Sequence, residues 1–384
     1  MIPEAELVKF IIQTVADKEK NKPLPVSLEK IDWKKFKDFI SYHELVSLAY
    51  IALKDHISFL PVDLAQTLKA SYYYTLTQTQ KFWRRFLDIV AAAKEAGVVI
   101  LPIKGTALLN DLYLDIPVRP MVDVDLLVKE EDFKKAEDLL YKLGYQKELG
   151  GLTEEYWKLD QCHITYQGRG NGLPIAELHW GIDFKRNGRV ILPEIWQRLR
   201  EVDVDGQKIK LLSPEDTLFS LGLHSRRFGK TLCLKYACDV SLLLSKYKDS
   251  FDWRYILSKA KEYRLCSVIY FILYNAKALS EINVPEYVWR DLGLPFWKRK
   301  LIHRFIEKNL FLSDADQKGK SLYLKSHFLL YDSLVEPAQY ILNIPKEQFA
   351  KYYGLETYTK KTGFFYSWRL IYMPFMALRR KNAC

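Results

Sequence analysis

Asp123 and Asp125 stand two residues apart inside an apolar run, Met121-Val-Asp-Val-Asp-Leu-Leu-Val128. Successive strand side chains point to opposite faces, so this spacing places both carboxylates on one face and Val122, Val124 and Leu126 on the other. A third acid, Glu177, lies in a second run of strand type, Ile175-Ala-Glu-Leu-His-Trp180. Three carboxylates on adjacent strands repel one another and are costly to bury unless a cation neutralises them. Hard oxygen donors of this kind suit Mg²⁺ or Mn²⁺. The chain is thereby constrained to a small sheet with one acidic face. The chemistry that most needs such a face is metal-assisted phosphoryl or nucleotidyl transfer.

Upstream, Val98-Val-Ile-Leu-Pro102 reads as a buried strand, followed by Lys104-Gly105-Thr106 and a helix-period run through Ala107, Leu108, Leu109 and Leu112. A strand that turns at glycine into a helix presents backbone N–H groups and a positive dipole end, which together cradle phosphate. Lys104 adds a cation, Thr106 a hydroxyl, and Arg119, four residues before Asp123, a guanidinium within reach of a metal-held phosphate. The alternative for Lys104 and Arg119 is a structural ion pair with the carboxylates.

The order strand, Lys-Gly-Thr, helix, Arg, Asp-x-Asp, helix, apolar-Glu-apolar resembles the DNA-polymerase-beta-type nucleotidyltransferase superfamily. The segments LPIKGTALLNDLY, RPMVDVDLLV and ELHW are most similar to a bacterial group of uncharacterised nucleotidyltransferase family proteins. The turn departs from the superfamily's Gly-Ser or Gly-Gly, and the gap from Gly105 to Asp123 is long. The resemblance implies transfer of a nucleoside monophosphate from a nucleoside triphosphate to a hydroxyl or phosphate acceptor. Asp123 and Asp125 would hold one metal, and Glu177 would share a second beside the acceptor. It implies a small-molecule or peptide acceptor, in natural-product tailoring of lasso-peptide type, and not a nucleic acid. A nucleotide-sugar-dependent glycosyltransferase acting on a phosphorylated peptide and a non-catalytic nucleotide-binding protein are the rival readings.

The 384-residue chain, 49% hydrophobic and 14% aromatic, has the composition of a globular protein. Its five cysteines form no CxxC pair and no His/Cys cluster with zinc spacing along the chain, which fits reduced thiols in a cytoplasm. The N-terminus carries acids where a signal peptide needs cations, and no apolar run approaches about 18 residues, so a soluble protein without a transmembrane segment is expected. The formal charge is +11, and residues 351–384 hold seven Lys/Arg against one Glu. That basic aromatic tail reads as a docked helix, an anion contact or a membrane-surface segment. As a docked helix it would pack through Phe365, Trp368, Leu370 and Tyr372.

The expected fold is α+β: a small mixed β-sheet nucleotidyltransferase core at 96–212, flanked by an N-terminal helical region at 1–95 and a C-terminal helical domain at 213–384. Leu7, Phe10, Ile11 and Val15 form one helical stripe, and Phe82, Phe86, Ile89 and Val90 another. Ser213-Pro-Glu-Asp opens the C-terminal helices as N-cap, N1 and acidic first turn. An internal similarity links the flanks, because Asp32-Trp33 and Asp252-Trp253 begin runs in register at a constant offset.

Four further residues are candidates for the cleft. His179 shares a face with Glu177 and could orient a carboxylate, touch substrate, or serve as a hydrogen-bonded strand histidine. His163 reads more weakly, as packing. Asp239 sits at the border of an apolar helix face and wants a cation, which Lys235 or His224 could supply. That group either braces domain against domain or walls the nucleotide cleft.

Overall fold

Strands are confined to one stretch of the chain, with helices on both sides, in the α+β class expected. The computed structural model describes residues 3–17, 23–113, 118–170, 172–184, 193–204, 206–227, 232–280, 282–311, 320–356 and 359–379. The strands are β1 (Leu101–Pro102), β2 (Asp123–Leu127), β3 (Tyr145–Glu148), β4 (His163–Gly168), β5 (Ile175–His179), β6 (Arg200–Val204) and β7 (Gln207–Leu211). The first five form one mixed sheet in the order β1-β2-β5-β4-β3, and the last two form a separate hairpin. Among the described strands only β2 and β5 run parallel, with Asp125 directly opposite Glu177. This register, with the period of two, puts Asp123, Asp125, Glu177 and His179 on one face.

The opposite face is apolar. Val124, Leu126, Ile164, Tyr166, Ala176 and Leu178 pack there against Phe82, Phe86 and Ile89 of the Val62–Glu95 helix and Leu140 of the Phe133–Lys142 helix. Fully burying one such side chain contributes roughly 1.5–3 kcal/mol, so this face anchors the acidic one. Gly144 ends the Phe133–Lys142 helix at a φ of 88°, a conformation that favours glycine. Two local expectations change. Only Leu101 and Pro102 of the 98–102 run are strand, and Val122 precedes β2 and is 75% exposed.

A second core joins the two helical flanks: Leu7, Ile11, Phe36 and Leu48 share it with Phe219, Leu243, Ile269 and Phe271. The internal similarity has a local structural counterpart. Asp32 and Asp252 each cap a helix, accepting a hydrogen bond from the backbone N–H three residues on, both at 3.0 Å. The turns that follow hold Glu44 and Arg264 at φ 57° and 55°, and Pro61 and Pro285 are the N-caps of the second α-helix after each turn. Of the tail, the Lys360–Arg379 helix docks through Tyr366, whose hydroxyl donates to the Ile344 carbonyl at 2.7 Å, and through buried Arg369 and Thr362. Phe365 and Trp368, expected to pack, are 37% and 41% exposed; the side chains of Leu370 and Tyr372 lie outside the described residues.

Candidate active site

The acidic face gathers around one ammonium. Lys104 Nζ donates to Asp125 Oδ1 and lies 3.4 Å from Glu177 Oε2 and 3.3 Å from His179 Nε2. His179, fully buried, holds the same two acids: Nε2 is 3.0 Å from Asp125 Oδ1 and 3.3 Å from Glu177 Oε2. Ligand atoms of Asp125, Glu177 and His179 all fall within 4.8 Å of one another, a spacing that a cation could span.

The three carboxyls are not equivalent. Burial, then Asp125 and Glu177, push Asp123 up to about 7, against which Lys104 and His179 act weakly. Burial also works against ionised Asp125, but Lys104 and the His179 hydrogen bond outweigh it and hold that carboxyl below its ordinary value. Glu177 likewise is held down, with the His179 hydrogen bond the chief force opposing burial. His179 is pulled down by burial and by Lys104, yet its bonds to Asp125, Cys162 and Glu177 raise it to about 9. Among the three acids, Asp123 is the one left short of positive partners.

The Lys104-Gly105-Thr106 turn opens the Lys104–Asp111 helix with Lys104 itself as first residue, at a φ of 50°. A non-glycine residue held left-handed stores strain of order 1–3 kcal/mol, a cost that clusters at functional sites. Gly105 admits a close neighbour: a Cβ there would meet Arg119 Nη1 at 2.8 Å and Met121 Cβ at 3.4 Å. The N-cap, Ile103, offers no side-chain cap to this turn. Thr106 is fully buried, and its Oγ1 has no hydrogen-bond partner among the described residues. It is shut away from solvent, and so from a nucleotide in this conformation.

Arg119 is committed chiefly to a structural pair, though not with the strand carboxylates. It is 3% exposed and forked onto Asp239, Nε to Oδ1 at 2.8 Å and Nη2 to Oδ2 at 2.7 Å, with Tyr113 donating to the same Oδ1 at 2.8 Å. Two of its three nitrogens are therefore committed to a structural pair, and Nη1 alone faces the Gly105 turn. The cation that Asp239 wanted is thus Arg119, and neither Lys235 nor His224. Lys235 bonds Glu44 of the N-terminal helices and the Pro120 carbonyl, and His224 packs edge-on against Tyr236. A helix border shows that a carboxylate needs a cation, but not which distant one the packing will deliver.

A second group of donors escaped the sequence. Cys162 Sγ lies 3.8 Å from His163 Nδ1 and 3.9 Å from His179 Nδ1, and the two imidazoles stack at 4.7 Å. These atoms too fall within 4.8 Å of one another. The absence of zinc spacing along the chain does not bear on this group, because it is assembled by strand register, His163 opposite His179. His163 is more than packing: its Nε2 is 3.6 Å from Glu177 Oε1, and burial, with His179 and Arg227, keeps it neutral. Arg227, also overlooked, places Nη2 at 3.7 Å from Cys162 Sγ. The Cys162-His163 dipeptide at a strand start was the available signal.

Comparison with known proteins gives a remote structural likeness and a family. One likeness is to the crystal structure of ANT(2'')-Ia with adenylyl-2''-tobramycin: 16% identity, 44% of this chain and 89% of that one, TM-score 0.32. Another is to the Megavirus polyadenylate synthase: 14% identity, 76% and 58% of the two chains, TM-score 0.31. No curated protein matches the chain. Residues 29–281 match the family described as uncharacterised nucleotidyltransferase, and that stretch is well over half of the 384 residues. The chain therefore belongs to this family and is a nucleotidyltransferase.

Proposed function

We propose that the enzyme moves a nucleoside monophosphate from a nucleoside triphosphate to a hydroxyl or phosphate on a small-molecule or peptide acceptor, with a divalent cation at Asp123, Asp125 and Glu177. The observation that carries the reading is the pairing of Asp125 with Glu177 on parallel strands, with Asp123 one step along the same face. The donor set fits a hard divalent ion: three carboxylates, two of them already sharing one ammonium, and a third whose proton affinity is raised for want of positive charge. Mg²⁺ or Mn²⁺ bound there would polarise phosphoryl oxygens and lower the pKa of the attacking group.

The chain's own groups do the rest. His179 fixes the mutual orientation of Asp125 and Glu177. Lys104, on a strained turn beside them, is placed to exchange a carboxylate for a phosphate oxygen. Gly105 lets Arg119 Nη1, pinned by Asp239, approach the turn closely, where it offsets negative charge. No described helix is long and apolar enough to cross a membrane. The proposal includes a reducing, cytoplasmic setting, with which the free thiols Cys162, Cys233, Cys238 and Cys266 agree.

Incubation of the full-length protein with labelled nucleoside triphosphates, with UDP-sugars, and with small-molecule and peptide acceptors tests the reading. Pyrophosphate release with label on the acceptor is expected. Sugar transfer in its place, or nucleotide binding with no turnover on any acceptor, would overturn it. Glu177→Gln should lose turnover more than nucleotide affinity, because the proposal gives Glu177, on β5 next to β4, to the metal that activates the acceptor and not chiefly to the triphosphate. Titration with a non-hydrolysable triphosphate analogue, set beside single-turnover rates, checks this. Equal losses would give Glu177 the same role as the two aspartates.

A further inference from the structure

Among the described residues, Arg227 is the arginine at this site without a salt bridge. Arg119, Arg198, Arg200 and Arg226 each form a salt bridge, with Asp239, Glu215, Asp111 and Asp183 respectively. Among the described residues, no carboxylate lies within 4.0 Å of Arg227. Its neighbours are the Cys162 sulfur, a weak acceptor, and the Phe184 ring, whose centroid is 5.0 Å from the guanidinium carbon. Yet it is partly buried and lies within the field of the active-site acids: burial opposes its charge, and Cys162, Glu177, Asp125 and Asp183 outweigh burial. The acids favour its charge from a distance, but no carboxylate of the described residues fills its fork of donors, which leaves that fork for a ligand's anion.

The sheet order says which ligand. Lys104, Gly105 and Arg119 Nη1 stand on the β1 side of the β2–β5 carboxylates. Arg227 stands on the other side, beside Cys162 at the start of β4. Around it are His163, Cys162 and Phe184, which offer a largely uncharged wall to an organic body. The triphosphate has its cations on the first side, so the second is left for the molecule that receives the nucleotide.

We propose that Arg227 grips an oxyanion, phosphate or carboxylate, carried by the acceptor, so that the enzyme selects acidic acceptors. This rests on the nucleotidyl-transfer reading above. A planar fork of donors is suited to either group, and both bind it bidentately.

The test is calorimetry on the full-length protein saturated with Mn²⁺ and a non-hydrolysable triphosphate analogue, titrated with inorganic phosphate and separately with acetate. Wild type should bind at least one of the two saturably, and which one it binds identifies the acceptor's acid. Arg227→Met should weaken that anion about tenfold or more and leave analogue affinity unchanged. Arg227→Lys, which keeps charge and loses the fork, should fall between. Ligand-free melting temperatures are read alongside: Arg227→Met removes a charge that the active-site acids favour and should lower its own, whereas Arg227→Lys keeps that charge and should not. Equal anion binding by Arg227→Met, or loss of the analogue instead of the anion, would overturn the proposal. So would wild type that binds the analogue but neither anion, or a melting temperature lowered in both variants. Wild type that fails to bind the analogue at all would overturn the nucleotidyl-transfer reading itself, and with it the assignment of Arg227 to an acceptor.

Discussion

Asp123→Asn is expected to abolish transfer and to raise the melting temperature of the metal-free protein, whereas Asp125→Asn should abolish transfer and lower it. Mutual repulsion alone expects both substitutions to be neutral or stabilising, and the structure separates them. Asp123 is raised by burial and by its acidic neighbours to about 7, from an ordinary 3.8. Between those values the folded chain keeps a proton that the unfolded chain has released. The metal-free wild type therefore loses stability as pH rises through that window, and Asp123→Asn should flatten the loss.

Asp125 has the opposite sign. Burial is outweighed by Lys104 and by the His179 hydrogen bond, so its folded carboxyl titrates below 3.8. It stabilises the fold above that value and ceases to as pH falls. Its amide would leave a buried ammonium and a buried imidazole short of charge, a loss of about 3–5 kcal/mol for a broken buried pair. Thermal melts of both variants in chelator, from about pH 4 to about pH 8, read the difference. Melting shifts of the same sign would sink the charge assignment, and wild-type turnover by either variant in Mg²⁺ would remove that residue from the metal site.

What could be read in advance follows the range of the interactions involved. Asp123, Asp125 and Glu177 share a face through the period of two, which the local run sets once a strand forms, so their gathering was legible. The stripes Leu7–Val15 and Phe82–Ile89 were legible by the same logic at a period of 3.6. The partners of Arg119, Lys235 and His163 were not. Each is settled by packing between elements far apart in sequence: Arg119 with Asp239 across the helical flank, Lys235 with Glu44 of the N-terminal helices, His163 with His179 through the β4–β5 register. Residue type announces that a charge will be paired. Only the fold says with what.

The Arg119–Asp239 pair should be the most sensitive structural element near the site. Asp239 is fully buried and accepts two bonds from one guanidinium and a third from Tyr113, so all three groups depend on one carboxylate. Burial works against the charge on Arg119, and Asp239 more than restores it. Removing either partner strands the other, so Arg119→Met and Asp239→Leu should each cost about 3–5 kcal/mol in a chemical-denaturation series. The double variant should recover much of that, because replacing a whole buried pair by apolar groups of similar size is often neutral. Additive losses would show that the pair is not the coupled unit described here. Activity should not follow stability back: the double variant lacks Nη1 at the Gly105 turn, so its KM for the triphosphate should stay high even where its melting temperature returns. A double variant restored in both would confine Arg119 to bracing the fold and leave the phosphates to Lys104 and the turn.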